Sequence, residues 1–271
     1  MFAQSLGIFV FPIHEPSAKN ERDAVKRHGA ALRTGLADVL ADQGKYAEAR
    51  AQYGLALETA EELNDLRQQG TILAQLGTLA LMEGDIADAV GRYQEALKWF
   101  QRLGEPAEPA AEAEAGIQHQ LGRAFQQARQ WEPAERHYRA SARLSEQGGD
   151  LATAAQTWNG LAVLNQSAGR IDAAERWYRK AMDGGRQTGD TLPTARALNN
   201  LADLLQSQPG RLDEARRLAE EALDPGAAEI WKTYELLAQI ADRQSRPDEA
   251  AEYRRLARDA KRGFRCWELS G

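Results

Sequence analysis

The sequence predicts an all-α solenoid of about six stacked helical hairpins. Three observations predict it. A Leu-headed segment returns six times at a near-constant interval. Small residues recur at two fixed places within each copy. Helix stop signals recur at the ends of the copies.

The interval comes first, because a fixed period must be read before any other feature. Residues 36–57 read LADVLADQGKYAEARAQYGLAL, and residues 76–97 read LGTLALMEGDIADAVGRYQEAL. Further copies start at Leu121, Leu161, Leu201 and Leu237, so the gaps are 40, 45, 40, 40 and 36. The second copy shows why each unit is a hairpin. Leu73, Leu76, Leu79 and Ala80 lie on one helical face, and Gly84-Asp85 stops that helix and starts the next. Ile86, Ala89, Val90, Tyr93, Ala96 and Leu97 then form a second stripe. Eleven residues beyond the repeat Tyr come Asn64, Gly104, Gly149 and Gly189, each followed by an acid (Asp65, Glu105, Asp150, Asp190). That pairing reads as a helix stop followed by an acidic N-cap or first turn.

The small residues mark where the two helices of a hairpin cross. Ala37, Gly77, Gly122, Ala162, Ala202 and Ala238 face Ala49, Ala89, Ala134, Ala174, Ala215 and Ala250. Tyr53, Tyr93, Tyr138 and Tyr178 fill the wider space one turn on.

This pattern resembles the tetratricopeptide repeat: Leu, Gly or Ala, an apolar residue, then Ala, Tyr and Ala. The intervals match in Leu36–Ala56, Leu76–Ala96, Leu121–Ser141, Leu161–Ala181 and Leu237–Ala257. The fifth copy has one extra residue before Ala215, with Ala219 in place of the Tyr, and the sixth has Arg254 in the aromatic place. The usual Pro between repeats is missing. The period near 40 is similar to that of kinesin light chain and of bacterial peptide-sensing regulators. The resemblance implies a right-handed α-solenoid over residues 18–260, preceded by an extended or irregular segment (1–17) and followed by a tail or cap (261–271).

Several places are irregular. The link EPAEPAAEAEAG (105–116) is five residues longer than its neighbours. It reads as a lengthened loop and helix start, or as a partner-contacting insertion. Gly184-Gly185 falls inside a predicted helix and marks a local bend or a close contact. The short link with Pro225-Gly226 should end the fifth unit's second helix early. Phe264 and Trp267 are candidates to cap the far end. The apolar run from Leu6 to Ile13 lacks preceding Lys or Arg and a cleavage pattern, so it does not read as a signal peptide. It is also far short of a membrane span. It reads as a flap against the first helices or as a remnant of a longer parent chain.

Composition narrows the function. Of 271 residues, 43% are hydrophobic and 27% charged, and the net charge of −6 disfavours nucleic acid as a partner. The single cysteine, Cys266, forms no internal disulfide, so no oxidising compartment is required, and a cytoplasmic location is expected. No P-loop, GxGxxG, HExxH or GxSxG motif is present. The histidines are His14, His28, His119 and His137, and none has a convincing partner at metal-ligand spacing; His137 reads as a surface residue. Neither catalytic residues, a metal nor a cofactor is expected. Carboxylates interleave with arginines (Glu48/Arg50, Glu135/Arg136, Glu175/Arg176, Glu214/Arg216), the pattern of a solvated face.

A binding site should lie on the concave side, lined by the first helix of each unit. Facing away from the Leu/small-residue stripe are His119, Arg123, Gln126 and Gln127 in the third unit. The fourth offers Gln156, Asn159, Val163 and Gln166, and the fifth Arg196, Asn199, Asp203 and Gln206. Thr34, Asp38, Asp42, Ala74, Thr78, Leu81, Glu235, Gln239 and Asp242 are the counterparts elsewhere. Carboxamides carry both a donor and an acceptor, so they can grip a peptide backbone whatever its side chains. Asn159 and Asn199 occupy equivalent places, as rungs of such a ladder would, and Arg123 and Arg196 could hold a carboxylate. By resemblance, related arrays use such Asn rungs for peptides. A solvated wall would carry the same amides, and Asn199-Asn200 could instead bridge helices. The expected partner is a protein or an extended peptide, with no nucleic acid and no membrane. The alternative is a spacer or sensor arm of a larger bacterial signalling protein.

Overall fold

The computed structural model describes residues 18–102, 108–224 and 229–268, and every element among them is helical. In chain order these are α1 (Ala18–Asp42), α2 (Tyr46–Glu62), α3 (Leu66–Glu83), α4 (Ile86–Arg102), α5 (Glu108–Gln127) and α6 (Trp131–Gln147). They continue as α7 (Leu151–Ser167), α8 (Ile171–Thr188), α9 (Thr191–Gln206), α10 (Leu212–Glu221), α11 (Ile230–Arg243) and α12 (Pro247–Glu268). Each helix packs mainly on its neighbours in sequence, and α3, α5, α7, α9 and α11 also touch in succession. This is an α-solenoid of six hairpins.

Local chemistry ends each helix. Asn64, Gly149 and Gly189 take positive φ (50°, 72° and 69°), which reverses the chain at modest cost. Asp65, Asp150 and Asp190 then accept from the backbone N–H of Gln68, Thr153 and Leu192. Gly104, Glu105 and Pro106 lie outside the described residues; Pro109 stands in the first turn of α5. As anticipated, α10 is short, ending at Glu221. At the far end, α12 continues to Glu268. The segment 1–17 and the side chains of Phe264 and Trp267 lie outside the described residues.

Packing within a hairpin is set by the small-residue crossing. Ala37, Ala162 and Ala202 are fully buried against Ala49, Ala174 and Ala215. At Gly77 and Gly122 even a methyl group would be too large, since a Cβ there would stand 2.8 Å from Tyr93 and 2.6 Å from Tyr138. The Gly184-Gly185 pair resolves as close contact. α8 runs through it unbroken, and a Cβ on Gly184 would meet the Trp158 ring at 2.6 Å.

The two ends of the array differ. Leu32, Leu36 and Val39 on α1 are 63%, 49% and 52% exposed, although Leu36 heads the Leu series whose other five members are buried. On the outer side of α12, Arg258 is exposed at the position that Leu57, Leu97, Ala142, Met182 and Leu223 occupy in the preceding hairpins. Lys261 lays its ammonium 4.1 Å from the Trp231 ring centre. One end therefore finishes in apolar side chains and the other in cations.

Candidate concave-face site

The repeat tyrosines organise the inner wall. Each ring is buried between the helices of its hairpin, and burial pushes each phenol above its ordinary pKa. Each hydroxyl reaches through to a polar group on the first helix. Tyr53 donates to Asp38, and Tyr93 pairs with Thr78 Oγ1 at 2.9 Å. Tyr138 donates to Gln126 Oε1 at 2.8 Å and Tyr178 to Gln166 Oε1 at 2.6 Å. In the third unit the partner thus shifts by almost one turn, from the Asp38/Thr78 position to Gln126. The Asp38 position is there taken by Arg123, whose guanidinium, among the described residues, reaches Gln120 Oε1 alone, at 3.0 Å.

A groove of about 880 Å³ opens at this point. Seven of the anticipated residues line it: His119, Arg123, Gln126, Gln156, Asn159, Val163 and Arg196. Gln127, also anticipated on this wall, lines it too. The rest of the lining includes Gln120, Arg129, Trp131, Tyr138, Gly160, Ser167 and Pro193, which inner-face counting missed. Arg129 and Trp131 lie in or just after the turn between α5 and α6, off the inner face of the first helix. A comparison of turns could have found Arg129. It has φ 58° at the place where Gly44, Gly84, Gly169 and Gly210 stand in other hairpins, a left-handed conformation costly for a non-glycine residue.

The lining holds three arginines and no Asp or Glu. Among the described residues, Arg123, Arg129 and Arg196 have no carboxylate partner. The opposite situation holds on the second helices. Arg179 bridges Glu175 and Glu214 at 2.8 and 2.7 Å, and Arg211 reaches the same two carboxylates at 3.0 and 2.7 Å. Arg211 and then Arg179 hold the Glu214 carboxyl down at about 2.

His119 sits at the groove's inner edge. Its Nδ1 lies 3.0 Å from Thr157 Oγ1, which lies 3.0 Å from Ser141 Oγ, and its ring meets Tyr138 edge-on at 5.4 Å. Burial first, and the Arg123 guanidinium second, push the imidazole down to about 4, so it is neutral near pH 7. His137 is not the surface residue expected. It is half-buried, stacks on Phe125 at 5.2 Å and pairs with Gln118 Oε1 at 2.8 Å.

Four of the anticipated residues lie outside the groove. Gln166 is held by the Tyr178 hydroxyl. Gln206 is buried and donates to Asp203 Oδ1 at 2.8 Å and Gln239 Oε1 at 3.3 Å, joining the fifth unit to the sixth. Asn199 donates to Thr233 Oγ1 at 2.7 Å, again across that joint. Asn159 accepts from Asn200 at 3.0 Å, so the two asparagines are not parallel rungs: one lines the groove and the other ties two hairpins together. Leu81, expected on the inner wall, is buried because the larger side chain turns into the core of its unit. Among the described residues no group of three or more His, Cys, Asp or Glu is placed to hold a metal. Nor, among the described residues, is any helix long and apolar enough to cross a membrane.

The tetratricopeptide repeat family model matches residues 29–102 and 153–224. The third unit, with Arg123, Arg129, Trp131 and Tyr138, falls between the two matched spans. No curated protein sequence matches the chain. Among solved structures, the chain is similar to BtubC (BKLC) from P. vanneervenii, with 18% identity, a TM-score of 0.60, and 92% of this chain and 93% of that one covered. It is also similar to a signal transduction ATPase with a tetratricopeptide repeat sensor from Pyrococcus horikoshii, with 14% identity and a TM-score of 0.70 over 86% of this chain and 37% of that one. A third likeness is to a Rap protein complexed with Competence and Sporulation Factor, with 15% identity and a TM-score of 0.62 over 88% and 65% of the two chains. At such identities these likenesses speak to the fold.

Proposed function

This chain belongs to the tetratricopeptide repeat family, and from that premise we propose that it is a non-catalytic interaction module. Its third to fifth hairpins bind an extended peptide or partner tail that carries carboxylates. One observation carries this reading: three arginines without carboxylate partners line one inner groove of an acidic chain, and no acid lines it with them. Planar guanidinium groups suit two-point recognition of a carboxylate. Gln156 and Asn159 add amides for a peptide backbone, and Trp131, Val163 and Pro193 add apolar contact. The Rap protein complexed with Competence and Sporulation Factor shares the fold, which supports a protein or peptide partner here. A cytoplasmic setting fits the lone cysteine.

The test is selection from a random peptide library on the purified chain, followed by fluorescence anisotropy with the enriched peptides. Acidic peptides should enrich. Binding should weaken by at least about tenfold in Arg123→Ala/Arg196→Ala, the loss of roughly one charge-assisted contact. Circular dichroism should show the variant melting like the parent. Enrichment of neutral or basic peptides, or equal binding by the variant, would count against the reading.

A second reading, a spacer or sensor arm of a larger signalling protein, draws on the overlay with the Pyrococcus ATPase that carries such a sensor. Partner contacts confined to the second helices would favour it.

A further inference from the structure

The turn that closes the third hairpin carries a residue its geometry disfavours. The first four hairpins and the sixth close alike. A residue with positive φ donates its N–H to the carbonyl three residues back, and the next residue donates to the carbonyl five back. In the third hairpin these bonds run from Arg129 to Gln126 at 2.9 Å and from Gln130 to Phe125 at 2.8 Å. Glycine holds the left-handed place in the first, second and fourth, as Gly44, Gly84 and Gly169, with φ of 74°, 83° and 73°. Glycine takes such a φ freely, whereas a side chain there crowds the backbone. Arg129 adopts 58° all the same. The sixth hairpin has Ser245 at 60°, a small residue that does not line the groove.

Arg129 is exposed, and among the described residues its side chain has neither a hydrogen bond nor an ion pair. It lines the groove with Arg123 and Arg196, and no acid lines it with them. Resting on the function proposed above, we infer that Arg129 is a specificity residue, which takes a second carboxylate of the bound peptide beyond the one held at Arg123. Arg129 follows Arg123 by six positions, or ~9 Å at the helical rise. An extended chain covers that length in ~3 residues. The ligand class narrows accordingly, to peptides with two acids about three residues apart. A guanidinium offers each acid a planar pair of N–H donors, which a lysine in the same place would not. A backbone conformation that disfavours any side chain is thus kept for what this side chain does in the groove, a trade of stability for binding.

The experiment uses the full chain and rhodamine-labelled, C-terminally amidated peptides of Ser and Ala. Each carries a single Glu, or two Glu at varied spacing. Anisotropy should show the parent binding the peptide with acids three residues apart about tenfold more tightly than the single-Glu peptide, the gain of roughly one charge-assisted contact. Arg129→Gly should lose that advantage yet still bind the single-Glu peptide. It should also melt about 2–4 °C higher, because glycine relieves the turn. Arg129→Lys should keep part of the advantage and melt like the parent. An undiminished advantage in Arg129→Gly, or a melting temperature no higher than the parent's, overturns the inference. If Arg123→Ala/Arg196→Ala abolishes binding while Arg129→Gly leaves every affinity unchanged, this inference falls and the proposed function stands. If the parent binds none of the acidic peptides, both fall.

Discussion

The inner and outer walls of this solenoid use arginine in opposite ways. On the second helices, guanidinium groups are matched to carboxylates across hairpins: Arg50 to Asp88 at 3.1 Å, Arg170 to Glu135 at 2.9 Å, Arg216 to Glu249 at 2.7 Å. In the groove, Arg123, Arg129 and Arg196 have no such partner among the described residues. The difference teaches that charge serves cohesion on one wall and is left available on the other. Net charge hides this, because the acids that make the chain negative are on other surfaces.

The largest way to break the contrast is to remove a group belonging to both sides. Tyr138 is core on one side and groove lining on the other. Tyr138→Ala should cost about 3–5 kcal/mol in urea unfolding and also abolish peptide binding. Tyr138→Phe should cost only about 1 kcal/mol, the loss of the bond to Gln126.

Charge reversal separates the walls. Arg123→Glu/Arg196→Glu should weaken an acidic peptide by about a hundredfold while moving stability by less than about 0.5 kcal/mol, as expected of surface changes. Glu175→Gln on the outer network should do the reverse, lowering stability by up to about 1 kcal/mol with affinity unchanged. Anisotropy and urea titration on the same samples read both quantities.

Acid sharpens the contrast further. The His119 pKa is lowered on folding, so the unfolded chain binds the proton more readily. Stability from this group is complete above the unfolded value near pH 6.5 and is lost progressively as pH falls toward about 4. The loss should be on the order of 2–3 kcal/mol, and His119→Gln should flatten that limb of the curve. Glu214 acts lower. Its folded pKa is depressed to about 2, so its stabilisation is present above the unfolded value near 4.5 and disappears between there and about pH 2. With solvent screening, that limb should amount to about 1 kcal/mol or less. Urea midpoints across this pH range resolve the two windows. The smallest effect is salt. Raising it should weaken peptide binding through the open groove severalfold, yet shift the melting temperature only slightly.

The hairpins were legible because their determinants are local. A Gly or Asn stop followed by an acid, an Ala facing an Ala, and a Tyr one turn on each specify geometry within a few residues. The inner wall was legible as a surface but less so as a list. Helical periodicity identifies which way a residue points, and His119, Arg123, Gln156, Asn159 and Arg196, which it turns inward, line one groove. It cannot tell which amides are already engaged. Gln166, Gln206 and Asn199 face inward, yet their bonds go to Tyr178, Asp203 and Thr233. Nor does it reach Arg129 or Trp131, which come from a turn and the helix after it. Their placement depends on how two hairpins stack, a relation several residues wide that no single stripe encodes.

The unlike ends of the array bear on assembly. Stacked hairpins are, in principle, an open-ended polymer: the final face of one molecule could seat on the first face of the next, and heterologous contacts that do not close propagate as filaments. Here the apolar start on α1 would have to mate with a finish carrying Arg258 and Lys261, burying cations without counter-ions. End-to-end stacking of separate copies through these two faces is therefore disfavoured by two basic side chains on α12, whatever the apolar stripe on α1 would gain from burial.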